Sequence, residues 1–136
     1  MRKTFLRIGA LVAMLAVIFG AFGAHSLKEV LTTEKIATFE IGVRYQFYHA
    51  IGILLIGLLL YNRKNKLLIA AGWLFLGGVV LFSGSLYLLA VRETMNLSLA
   101  WLGPITPIGG VLFIAGWACL LLSTYQENTR RNIKNE

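Results

Sequence analysis

The side chains that invite a chemical reading in this 136-residue chain are His25, His49, Gln46, Tyr45, Tyr87, Ser83, Ser85, Thr106 and Cys119. Two histidines with no Cys beside them and no HxxxH or HExxH spacing supply too few ligands for a tetrahedral metal site. Glu40 joins them only if its loop folds back. A GxSxG elbow is absent, and no Cys–His pair activates a nucleophile. A single Cys excludes an intramolecular disulfide. An imidazole titrates near pH 6.5, about right for sharing a proton with Tyr45 or Glu40. The same ring can instead bond a backbone carbonyl and tie two helix ends together. The expectation is therefore no catalytic residue, no cofactor and no metal. What remains is a candidate layer of His25, Tyr45, Gln46, His49, Ser83, Ser85, Tyr87 and Thr106.

The segments that position these residues are strongly apolar. Hydrophobic residues make up 57% and charged residues 14%, against about 45–50% and about 25% in an average soluble domain. Mean hydropathy is +0.73. A water-soluble domain of this length cannot bury that much apolar surface, and a disordered chain needs the opposite balance. Two Pro and one Cys exclude collagen-like and disulfide-rich classes. An integral membrane protein is what survives.

Four windows lack Asp, Glu, Lys and Arg: residues 8–27, 45–62, 67–91 and 94–126. A helix needs about 20 apolar residues to cross a core of about 30 Å. The last window holds Gly103-Pro104 and Thr106-Pro107, so a helix starts there with Thr106 as N-cap and Pro107 in the first turn. Four crossings follow, at about 6–24, 45–62, 67–91 and 106–125. Helices are preferred to a barrel because the windows lack strand alternation and lipid offers no partner to a free backbone group. The expected fold is all-α: one integral-membrane four-helix bundle spanning residues 1–136, with a basic tail at 126–136. The first window also has the layout of a secretory signal. It is long for one, and Ala16, Gly20 and Ala24 form a small-residue packing face, so it is read as a retained crossing.

Four crossings put both termini and the second loop on one side, with Arg2, Lys3, Arg7, Arg63, Lys64, Lys66, Arg130, Arg131 and Lys134. The other side carries Lys28, Lys35, Arg44 and Arg92. The positive-inside bias predicts both termini in the cytoplasm of a cell-membrane protein. The pI near 9.9 is thus spread over short membrane-flanking segments, which excludes a nucleic-acid partner and points to the lipid bilayer. With this topology His25, Tyr45, Gln46, His49, Ser83, Ser85, Tyr87 and Thr106 all fall in the outer half of the bundle. Each has a plain role there: Ser83 and Ser85 as packing residues bonding one turn back, Gln46 as an interhelical partner, Tyr45, Tyr48, Tyr87 and Trp101 as an interfacial belt.

Residues 26–43 are too charged to cross and too apolar for a loose linker. Ser26 and Glu29 fit a capping box, Val30, Leu31, Ile36, Phe39 and Val43 recur at helical spacing, and Glu40 can pair with Arg44 one turn on. An amphipathic helix lying in the outer interface is expected after the first crossing.

The segments Gly20-Ala21-Phe22-Gly23-Ala24-His25, Tyr45-Gln46-Phe47-Tyr48-His49-Ala50, Leu81-Phe82-Ser83-Gly84-Ser85-Leu86-Tyr87, Thr106-Pro107-Ile108-Gly109-Gly110 and Gly116-Trp117 occur in one order. In this the chain resembles the bacterial membrane family called domain of unknown function 423. The resemblance spans about residues 8–122 and implies a small multi-pass membrane protein, with no reaction, substrate or cofactor attached.

Two function classes follow. The first is a structural or accessory four-helix protein without catalytic activity, packing with itself or a larger membrane complex. The second is a small transporter or channel component using the outer polar layer. No Asp, Glu, Lys or Arg lies within a crossing, which weighs against the second. An intramembrane enzyme ranks third, with only Ser83 or Ser85 near His49 as its conceivable core.

Overall fold

The computed structural model describes residues 1–62, 64–95, 98 and 100–134, with backbone alone for 100 and 126–134. Arg63 and the side chains of the basic tail, including Arg130, Arg131 and Lys134, lie outside the described residues. The architecture is all-α: α1 (Arg2–His25), α2 (Thr33–Leu59), α3 (Lys66–Val91) and α4 (Ile105–Lys134). Each contains a stretch long and apolar enough to cross a membrane. Short 3-10 turns, Leu27–Glu29 and Ala100–Leu102, lie between α1 and α2 and between α3 and α4.

Helix starts follow local chemistry. Thr32 is extended and its hydroxyl accepts from Lys35 N, with Glu34 in the first turn against the positive helix end. Asn65 caps α3 by accepting from Leu67 N at 2.8 Å. Ser26 makes no side-chain cap bond, so the expected capping box with Glu29 does not form. The expected interfacial helix over 26–43 resolves into two parts. Leu27–Glu29 is one tight turn, and from Thr33 onward the chain is already α2, which runs unbroken to Leu59. Of the periodic apolar residues in that stretch, Ile36, Phe39 and Val43 lie in the first turns of α2, with Phe39 buried, while Val30 and Leu31 precede it. An ion pair at this end joins Lys35 of α2 to Glu93, just past the end of α3, where the sequence pointed to Glu40 with Arg44.

The four helices form two antiparallel hairpins. α1 lies along α2 and α4 along α3, and α2 against α3 joins the pairs. Small residues set the first pair: a Cβ on Gly9 would fall 2.9 Å from the backbone N of Leu54. Ala16 is buried, and Gly20 faces Val43. Of the small-residue face, Ala16 and Gly20 thus lie on the side of α1 turned to α2, whereas Ala24 is exposed.

Within α3, residues Val79–Ser83 form a π turn. One wider turn inside an α-helix shifts every following side chain around the axis. α4 packs tightly against it: a Cβ on Gly109 would collide with the backbone of Phe82.

The core is divided. One apolar cluster holds Phe5, Ile53, Ile56, Leu68, Ala71, Phe75 and Phe113. The other, at the opposite end, holds Leu27, Leu31, Phe39 and Ala90, with Tyr87 packed against it. The remaining apolar surface faces outward, with Val17, Leu58, Val80, Val111 and Ile114 all more than half exposed. A lipid environment accounts for this, because the solvent is as apolar as the core.

Candidate functional site

Between the two apolar clusters lies a polar layer. On α2, Gln46 and His49 fall between Phe39 of one cluster and Ala50 and Ile53 of the other. On α3, Ser83, Ser85 and Tyr87 fall between Val79 and Ala90. Gln46, His49, Ser83 and Ser85 are all at most 5% exposed, so each must find its partners inside the protein.

Gln46 satisfies both ends of its amide. Its Nε2 donates to the backbone O of Val12 on α1 at 3.0 Å, and its Oε1 accepts from the Tyr87 hydroxyl on α3 at 2.7 Å. One side chain thus fastens three helices. Tyr87 is held by packing as well, its ring 5.1 Å from Phe19 and 4.7 Å from Phe39 between centroids. The sequence had grouped Tyr87 with an interfacial belt; in the fold it is an inward-facing bonding partner. Tyr48 and Trp101 point outward instead, at 56% and 62% exposed.

His49 joins α2 to α4. Its Nδ1 lies 2.8 Å from the backbone O of Tyr45, and its Nε2 accepts from the indole Nε1–H of Trp117 at 3.2 Å. A carbonyl on one side and an N–H donor on the other assign the proton to Nδ1 and the lone pair to Nε2. The ring stacks on Phe113, with centroids 3.4 Å apart and planes at 10°, and Phe75 meets its edge at 5.4 Å. The imidazole is therefore fully engaged. Tyr45 contributes its backbone carbonyl to this site, while its ring rests against Phe82 at 4.7 Å.

Ser85 joins α3 to α4. Its Oγ donates to the backbone O of Phe82 at 2.9 Å and lies 2.6 Å from Thr106 Oγ1, which then acts as donor. Thr106 was expected as the helix N-cap. Instead α4 begins at Ile105, and the hydroxyl turns sideways to the neighbouring helix. Ser83 differs from the others: it is 0% exposed, lies at the end of the π turn, and its Oγ has no hydrogen-bond partner among the described residues.

His25 does not join the layer. It ends α1 and is exposed. In the α1–α2 pairing Gly23 lies opposite Phe39, so about 15 Å or more of helix rise separates His25 from His49. The layer also reaches deeper than expected. His49 is ten residues, about 15 Å, from the Leu59 end of α2. Sequence reasoning missed Phe113 and Trp117, two core members of the site. They sit one turn apart on one face of α4, in a run that is otherwise almost purely apolar. Val12 and Phe82 take part through backbone carbonyls, for which no side-chain pattern exists.

Among the described residues no group of three or more His, Cys, Asp or Glu is placed to hold a metal ion. The chemistry of the layer is that of neutral donors and acceptors paired across helices.

Comparisons with known proteins agree with this architecture. Residues 19–110 match the family model described as protein of unknown function DUF423. The chain is 45% identical over 124 residues to a UPF0382 membrane protein of Staphylococcus haemolyticus, covering 91% of this chain and 97% of that one. It is 47% identical over 122 residues to a UPF0382 membrane protein of Staphylococcus epidermidis, with 90% and 95% covered. It is 40% identical over 122 residues to the UPF0382 membrane protein YwdK of Bacillus subtilis, with 89% and 95% covered. No solved structure matches. The chain belongs to the DUF423 family of UPF0382 membrane proteins.

Proposed function

We propose that this protein is a structural or accessory component of the cell membrane, a rigid four-helix unit without catalytic activity that packs with further copies or with a larger membrane complex. Both termini face the cytoplasm in this reading, as the excess of Lys and Arg at that end of the bundle favours. The observation that carries it is the saturation of His49. A proton carrier or ligand needs a free ring nitrogen, and here one bonds Tyr45 O while the other receives Trp117. Gln46, Ser85 and Thr106 are likewise committed to helix–helix bonds. Such bonds fix the mutual placement of helices, which suits a part whose task is to present a shape. The test is the oligomeric state of purified protein in mild detergent, with cross-linking in intact membranes. A defined oligomer or stoichiometric complex supports the reading. Strictly monomeric protein without a partner in both measurements counts against it.

One observation favours a second reading, that of a small transporter or channel component. Ser83 combines a fully buried unpartnered hydroxyl with a π turn, and π turns are frequent at functional sites. Proteoliposomes carrying the protein should then pass protons or small solutes above the leak of empty vesicles. Loss of that flux in Ser83→Ala and His49→Phe would establish this reading over the first.

A further inference from the structure

At the end of the bundle that carries the α1 N-terminus, the helices do not close on one another. A recess of about 350 Å³ opens there, lined by Met1, Arg2, Leu60, Lys64 and Ile69. Its floor is apolar, from Leu60 at the end of α2 and Ile69 in the first turns of α3. Its rim is cationic, from Arg2 and Lys64. The Arg2 guanidinium is held over the Tyr61 ring, 4.3 Å from its centroid. Stacking of this kind fixes the group while leaving its N–H donors free for another partner. Among the described residues neither Arg2 nor Lys64 has a carboxylate partner. All the described carboxylate side chains, Glu29, Glu34, Glu40 and Glu93, belong to the opposite end. This end carries Arg2, Lys3, Arg7, Lys64 and Lys66 with nothing described to offset them.

We propose that this recess is a binding site for one anionic phospholipid, whose phosphate lies between Arg2 and Lys64 and whose acyl chain runs over Leu60 and Ile69. Charge complementarity selects the headgroup. Basic pockets between membrane helices at the bilayer surface take anionic lipid headgroups. The apolar floor formed by Leu60 and Ile69 selects a lipid over a free anion. The site depends on the four-span fold and not on the proposed structural role, so either proposal stands if the other fails.

The test is native mass spectrometry of the full chain in detergent with palmitoyl-oleoyl phosphatidylglycerol or the matching phosphatidylcholine. The wild type should retain one phosphatidylglycerol and little phosphatidylcholine. Arg2→Gln with Lys64→Gln should weaken that retention about tenfold or more. Lys3→Gln with Lys66→Gln removes the same charge outside the recess and should change it by less than about threefold. If the first pair does not fold, as judged by helical circular dichroism and elution, Lys64→Gln alone takes its place with a smaller loss in the same direction. Equal retention of the two lipids, or equal losses in both variant pairs, overturns the proposal. So does displacement of the lipid by millimolar inorganic phosphate, which would make the recess a free-anion site.

Discussion

Gln46 offers the sharpest test of the polar layer, because one amide connects α1, α2 and α3. Replacing it with Leu keeps the volume near constant and deletes the bonds to Val12 O and from Tyr87 Oη. Interhelical hydrogen bonds in membrane proteins average about 0.6 kcal/mol and reach about 1.7. Two of them give about 1–3 kcal/mol. Part of this reflects a Tyr87 hydroxyl left without its acceptor between Phe19 and Phe39. Tyr87→Phe removes only the second bond and should cost about 0.6–1.5 kcal/mol. Because the two changes share that bond, the double variant should cost less than the sum of the single ones, by about 0.5–1.5 kcal/mol. The assay is reversible unfolding in mixed micelles, followed by tryptophan fluorescence and far-UV circular dichroism. Strict additivity, with a coupling below about 0.3 kcal/mol, would refute the reasoning, since it would mean that Tyr87 and Gln46 do not bond in the folded state.

Three further expectations concern other parts of the fold. Ser83→Ala removes a buried hydroxyl that has no partner, so stability in the same assay should be unchanged or rise by up to about 1 kcal/mol; a loss above that would show the hydroxyl bonded to water or solute. Gly109→Val places a branched side chain against the Phe82 backbone and should cost about 1–3 kcal/mol or more by forcing α3 and α4 apart, whereas Gly84→Ala, with nothing near its Cβ, should be tolerated. At the end of the bundle where α2 begins, Lys35 holds the Glu93 carboxyl below its ordinary value of 4.5. A depressed carboxylate pKa stabilises above the unfolded value and loses that contribution as pH falls through the folded one. The advantage of wild type over Glu93→Gln in thermal unfolding should therefore be full at neutral pH and disappear in acid, and an advantage that grows on acidification would contradict the pairing.

The number of the long helices was readable because each span must satisfy its own backbone and face lipid over a fixed thickness, which leaves a mark in charge-free windows. The gathering of Gln46, His49, Ser85, Tyr87 and Thr106 was also readable, from the topology that charge imposes. Their partners were not. Gln46 reaches a backbone carbonyl on α1, and no side-chain pattern announces Val12. Trp117 was hidden by its apolar neighbours, although its indole N–H needs an acceptor wherever it is buried. His25 was misplaced because sequence order brings a residue to a helix end without saying how far a neighbouring helix extends past it. α2 continues about three turns beyond the expected boundary at Tyr45, and that extra length sets His49 well below His25. The capping residue was missed for a related reason: Ser26 and Thr32 both fit, and the choice rests on where the chain turns after Leu27.

The central claim is that the polar side chains within the membrane bond helices to one another and are not held open for a passenger. Solid-state NMR of the protein in lipid bilayers, with 15N-labelled histidine and tryptophan, tests it most directly, since the chain holds only two His. The account predicts that His49 shows a protonated Nδ1, an unprotonated Nε2, and magnetisation transfer from the Trp117 indole N–H to that Nε2. A ring protonated at Nε2, or one exchanging with water and blind to Trp117, contradicts it.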